Sequence, residues 1–227
     1  MHALLVAAAF TISVPSSATY TSPSTAAADL ARQVRTGTLL VSKGDCVAVK
    51  VFTCSRYTHV AAVARENGRV YVYESANGHG VRRRTMEDYL DAESPNVIYV
   101  LNPKQPYSPK RAKLFKQHLD GELGRRYAIK HHFTGMRSDG VHCSEYITDA
   151  LISCRLMTAN RPSRVTPASL AKGVLRSGLY EAACAVELKE DEPEHSVGDN
   201  RCEQLWIDTK TCTRNFCIKI RRLFACR

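Results

Sequence analysis

From Thr38 onward, apolar and polar positions alternate with the period of two that marks half-buried strands: TLLVS (38–42), the turn Gly44-Asp45, CVAVKVF (46–52), a polar break, THVAAVA (58–64), Glu66-Asn67-Gly68, and RVYVYESA (69–76). Asn-Gly between two such runs is a strong hairpin signal, because both central positions of a type I′ turn need positive φ. A two-residue turn there pairs Glu66 with Arg69 and, counting back, Ala61 with Glu74 and His59 with Ala76. His59, Ala61, Val72 and Glu74 then share a face. His59 and Glu74 become diagonal neighbours, at roughly 7–8 Å between backbones and within reach of a carboxylate seeking an imidazole nitrogen. A slip of one residue would send them to opposite faces.

The apolar period then lengthens to that of helices. Ser108 caps and Pro109 opens a helix with Ala112, Phe115, Leu119 and Leu123 at helical spacing and Gly124 closing it. A second starts near Cys143, with Ile147, Ala150, Leu151, Cys154 and Met157 as its apolar stripe. Thr166-Pro167 opens a third, ending near Gly173, and Thr25 to Arg35 reads as a short helix capped by Thr25, in continuation of a Ser/Thr/Pro/Ala-rich leader over 19–27. These elements predict an α+β fold, a small antiparallel sheet packed against helices. The chain has no internal repeat.

Composition adds boundaries. At 227 residues and 44% hydrophobic content the chain can bury one core of ordinary size, which fits one catalytic domain, placed at 38–183, and a cysteine-rich basic extension at 184–227. The apolar run Ala3–Val14 followed by small residues to Ala18 reads as a signal peptide over 1–18, cleaved after Ala18, although no Lys or Arg precedes it. The expected location is secreted or periplasmic. That run is too short to span a membrane.

Nine cysteines suit an exported chain. If one stays free as a nucleophile, Cys46, Cys54, Cys154, Cys184, Cys202, Cys212, Cys217 and Cys226 remain for up to four bridges of undetermined connectivity. The tail has no Cys-x-x-Cys knuckle, so disulfides are expected there rather than zinc. A net charge of +10 favours contact with an anionic surface such as phospholipid or a cell-wall polyanion. Aromatic content of 7%, without stacking aromatics among the basic residues, argues against nucleic acid. A monomer is expected.

The candidate chemistry centres on Cys143. A thiol at a helix N-terminus faces unpaired N–H groups and the positive end of the dipole, which favour the thiolate. His59 is the candidate base and Glu74 the group that fixes its tautomer. The helix start and the Cys143 N–H can stabilise an oxyanion, with Tyr127 as an additional donor. His142 adjoins Cys143, but neighbours on a helix point about 100° apart, so it ranks behind His59 as base and is kept as an oxyanion or substrate-binding candidate. Glu145 is read as complementing the helix start, and His79, in the loop NGHG, as solvated. His131 and His132 diverge and lack a third ligand at metal spacing, so no metal and no cofactor are expected.

GDCVAVKV (44–51), YTHVAAV (57–63), VYES (72–75), HCSEYITDAL (142–151) and RVTP (164–167) together resemble the permuted papain-like amidases of the YaeF/YiiX type, in the NlpC superfamily. In that family histidine lies on an early strand, Glu on the next, and cysteine opens a later helix in a Cys-Ser-Glu context; His59, Glu74 and Cys143 match each place. The resemblance runs from about Leu39 to Gly173 and leaves out the tail, and Cys46 stands where an aliphatic strand residue is expected. It implies a cysteine-dependent hydrolase that cleaves an amide, such as a cell-wall peptide or acyl amide, through an acyl-enzyme on Cys143. Two alternatives stay open: lipid acyl transfer or thioester cleavage by the same superfamily, and a disulfide-stabilised binding protein in which Cys143 is oxidised or inaccessible.

Overall fold

In the computed structural model, which describes residues 10–44, 50, 55–94, 96–129, 139–189 and 200–225, the Asn-Gly turn forms as its chemistry dictates. Asn67 and Gly68 have φ of 50° and 78°. Strands β3 (His59–Glu66) and β4 (Arg69–Ala76) pair Glu66 with Arg69, Val63 with Val72 and Ala62 with Tyr73. This is the predicted register.

The sheet is larger than the sequence pattern indicates. To β3 and β4 are added β1 (Ser17–Tyr20), β2 (Leu39–Lys43), β5 (Gly80–Thr85), β6 (Val97–Pro103) and β7 (Tyr180–Leu188), in the order β1-β7-β6-β2-β3-β4-β5. All neighbours are antiparallel except the edge pair β1 and β7, so the expected α+β arrangement of an antiparallel sheet packed against helices is present, with seven strands in place of a few and one parallel pair at its edge. The missed strands have physical causes. Central β6 reads as a nearly continuous apolar run because both its faces are covered: Ile98 and Val100 join one core cluster and Leu101 the other. Opposite it, β7 loses simple alternation at a register shift beside Val100 and Leu101.

Helices cover both faces. Helix α1 (Pro23–Gln33) and α2 (Met86–Glu93) pack Ala26, Leu30, Tyr89 and Leu90 onto Leu40, Ala61, Val63 and Val72. Helices α3 (Pro109–Gly121), α4 (Cys143–Ser153) and α5 (Pro167–Arg176) pack Phe115, Ile147, Leu151 and Leu170 onto Val41, Val60, Ala62 and Tyr73. The caps Ser108 and Thr166 accept from Arg111 N–H and Ser169 N–H as expected. Helix α1 starts earlier than predicted, with Ser22 at the N-cap and Pro23 in the first turn, the usual place for a proline.

Both ends of the chain carry regular structure. Ile12 is buried and its N–H donates to Tyr57 Oη at 2.7 Å, and a cut after Ala18 would divide β1. Strand β7 runs across the expected boundary at 183/184. Residues Arg201–Ala225 form one long helix, α6, in place of a stapled tail. Among the described residues Cys143 is a free thiol, and so are Cys154, Cys184, Cys202, Cys212 and Cys217, five of the positions at which bridges were expected. On one helix Cys202 and Cys212 stand ten residues, about 15 Å, apart, well beyond the roughly 7 Å that a disulfide allows. The expected strand over 46–52 lies outside the described residues except for Lys50, as do Cys46, Cys54, Cys226, His131 and His132.

Candidate active site

The candidate residues meet where the first residue of β3 approaches the first residue of α4. His59 pairs with Ser42 of β2, and the β3–β4 register puts Glu74 within one ladder step on the same face. Nε2 of His59 lies 2.9 Å from Glu74 Oε2, with both side chains buried. An ionised carboxylate only accepts, so Nε2 carries a proton and Nδ1 is the nitrogen left for the Cys143 thiol, whose interaction with His59 raises the imidazole's pKa. The hairpin register therefore brings His59 and Glu74 into contact, and helix α4 brings Cys143 to the same imidazole.

Cys143 begins α4 because His142 is its N-cap. The His142 Nδ1 accepts from Glu145 N–H at 3.3 Å, and its Nε2 lies 2.8 Å from the Ser163 carbonyl. These two backbone contacts describe a neutral ring protonated at Nε2. The neighbouring thiolate pulls the other way: although burial lowers the His142 pKa, Cys143 outweighs it and raises the value above 6.5. With Glu145 N–H bound to Nδ1 and Tyr146 N–H bound to the His142 carbonyl, the N–H groups left at the helix start, among the described contacts, are those of Cys143 and Ser144. Glu145 is itself buried in this first turn, its carboxylate 3.8 Å from His142 Nε2.

The electrostatics favour an ion pair. Burial pushes the Cys143 thiol up, but hydrogen bonds with His142 and His59 pull it down from 9.0 to about 5. Burial alone would lower His59, yet its bonds with Cys143 and Glu74 raise it well above 6.5. Glu74 is pushed up by burial and pulled down from 4.5 to about 2 by His59 and Arg82. Thiolate, imidazolium and carboxylate thus stand in line.

Several groups around this line are ones the sequence reading missed. Arg82 Nε donates to Glu74 Oε1 at 2.8 Å from directly across the β4–β5 ladder, and Arg84 stands 3.8 Å from the same oxygen. Tyr89 of α2 stacks on His59 with ring centroids 6.4 Å apart and reaches Ser42 Oγ at 3.2 Å. Glu93, the last residue of α2, is buried beside them, and desolvation keeps its carboxyl above 4.5 despite His59 and Ser42. A signal for Glu93 did exist: Met86, Tyr89, Leu90 and Glu93 form one helical stripe, so the carboxyl had to face the core.

His59, Glu74 and Glu93 also each present one ligand-type atom, all within 4.8 Å of one another. Glu74 already faces the His59 N–H and two guanidinium groups. That environment suits an isolated anion orienting a base better than it suits a cation.

Tyr127 comes to the site through a strand-like segment. Val81 N–H donates to Arg125 O at 2.8 Å, and Val141 N–H to Arg126 O at 2.8 Å, which ties residues 125–128 between β5 and the lead-in to Cys143. There the Tyr127 phenol is pushed up first by burial and then by the charge of Cys143. The strap requires glycine at 140, where a Cβ would overlap Ala128 Cβ and stand 2.9 Å from Arg126 O. Gly140→Ala is expected to destabilise the protein by about 1–3 kcal/mol. It should also lower turnover by about tenfold or more through displacement of Cys143. Thermal unfolding and single-turnover rates measured on the same preparation check both effects. His79 is exposed in the β4–β5 turn.

Comparison with known proteins supplies context for this geometry. Residues 33–172 match the family described as permuted papain-like amidase enzyme, YaeF/YiiX, C92 family. Among solved structures, the crystal structure of metalloprotein yiiX from Escherichia coli O157:H7 is similar at 20% identity and a TM-score of 0.48, covering 66% of this chain and 88% of that one. A search of curated proteins gave no match.

Proposed function

Because the chain belongs to the permuted papain-like amidase family over residues 33–172, we propose that it hydrolyses an amide through a thioester on Cys143, with His59 as acid and base and Glu74 as orienting carboxylate. Membership of that family makes the protein an enzyme, a cysteine-type hydrolase of amide bonds. The observation that carries the finer reading is the buried His59–Glu74 hydrogen bond beside Cys143, which opens a helix and whose interactions with His142 and His59 lower its pKa to about 5.

The thiolate attacks the carbonyl carbon, and the N–H groups of Cys143 and Ser144 lie at the helix end where the oxyanion develops. The His59 imidazolium gives its proton to the leaving amine, which departs as the thioester forms. A water then enters, His59 takes one of its protons, hydroxide adds to the thioester, and collapse releases the carboxylic acid and the Cys143 thiolate. Tyr127 is close enough to feel the charge of Cys143, which supports it as an additional donor to the oxyanion.

The test is the pH dependence of Cys143 alkylation by iodoacetamide, read by peptide mass spectrometry. The rate should rise through about pH 5, whereas Cys154 and Cys184, whose thiols are pushed up by burial, should label only in alkali. Labelling of Cys143 with a midpoint near 9 would overturn the ion pair. Trapping the thioester with peptide amides, acyl amides and acyl lipids then separates hydrolysis of an amide from transfer of a lipid acyl group, since both pass through Cys143 but from different donors.

A further inference from the structure

Helix α6 (Arg201–Ala225) presents an apolar arc to solvent. Leu205, Trp206 and Phe216 are 68%, 61% and 62% exposed. At 100° per residue Phe216 falls about 20° from Leu205, three turns away, with Cys212 between them and Trp206 about 100° round the same side. Lys210, on the rim of this arc, holds its Nζ 4.9 Å from the Trp206 ring centroid. An apolar body with an ammonium on its edge is the arrangement a lipid–water boundary selects.

The charge of the segment identifies the surface. Residues 201–227 hold seven Lys or Arg and two carboxylates, Glu203 and Asp208, a net +5 within the chain's +10. Two copies of so basic a helix repel one another, and a seam that places Cys212 and Thr209 among its apolar positions lacks the aliphatic layers of a coiled coil. No helix among the described residues is long and apolar enough to cross a membrane. A cationic amphipathic helix with that property lies in an interface rather than through it.

We propose that α6 is an interfacial helix that seats its Leu205–Trp206–Phe216 arc in the headgroup region of an anionic membrane. This inference does not depend on the identity of the amide substrate. Trp206 is the chain's one tryptophan, so its emission reports the seating directly.

The experiment uses the full chain under reducing conditions with vesicles of phosphatidylcholine alone or mixed with phosphatidylglycerol. On the mixed vesicles Trp206 emission should move to shorter wavelength, and partition should be about tenfold or more stronger than on neutral vesicles at low salt, weakening as salt rises. Leu205→Ser with Phe216→Ser should lose the wavelength shift while Cys143 alkylation stays unchanged, and Lys210→Glu with Arg214→Glu should lose the preference for anionic lipid. Equal partition to both vesicles, or no shift at low salt, overturns the proposal. So does a shift that appears without vesicles together with a dimer in sedimentation, which would assign the arc to a second copy.

Discussion

Cys143→Ala is expected to reduce amide turnover by on the order of 10⁴–10⁶-fold, to near the uncatalysed level, with the fold retained. The loss should be this complete because in the proposed mechanism the thiol is the nucleophile, and it is also the charge that sets its neighbours: it raises the pKa values of His59 and His142. Alanine leaves the helix start intact, since His142 caps α4 through its own ring and Ser163 rather than through residue 143. Without the thiolate, one of the two bonds that hold the His59 pKa up is lost and burial should bring it down, which imidazole proton NMR would record. Cys143→Ser separates the two roles, because a hydroxyl fits the place but does not ionise near pH 5. Turnover in the alanine variant within tenfold of the parent would refute the assignment of the nucleophile.

The parts of this site that were legible in the sequence are those fixed by short-range chemistry. Asn67-Gly68 sets the β3–β4 register, and the register alone makes His59 and Glu74 neighbours. The helical stripe beginning at Cys143 likewise fixes the residue that faces the dipole. The companions of Glu74 were not legible, because they arrive through a strand and a helix whose placement depends on the rest of the sheet. Arg82 and Arg84 reach Glu74 while Arg83, one position out of phase, turns the other way to lie 4.5 Å over the Tyr71 ring. Three consecutive arginines read as a solvated charge run until β5 is paired. Glu93 falls on the buried stripe of α2, but its place beside His59 follows only once α2 is laid on that face. The tail misled in the opposite direction: its cysteines pointed to bridges, whereas Leu205, Cys212 and Phe216 recur at the period of one continuous helix.

Arg82 makes Glu74→Gln a sharper experiment than its small volume change implies. In the parent, Glu74 offers one oxygen to His59 and the other to Arg82, and both partners are donors. A glutamine amide has one acceptor for these two donors. The guanidinium, always charged, should claim the carbonyl oxygen and turn the amide NH₂ towards Nε2. His59 would then carry its neutral-state proton on Nδ1, the nitrogen that must accept from the thiol. Turnover is expected to fall by about 10³–10⁴-fold while remaining measurable, and His59→Ala should fall further, to the level of Cys143→Ala. Adding Arg82→Gln to Glu74→Gln frees the amide to flip and should recover part of the loss, an outcome that a simple packing defect would not produce. The same substitution carries a stability signature. Because the folded-state pKa of Glu74 is depressed from 4.5 to about 2, its contribution to stability is present above pH 4.5 and is lost as pH falls towards 2. The parent should therefore show a drop in melting temperature across that window, and the glutamine variant, which has no proton to take up there, should show a smaller one.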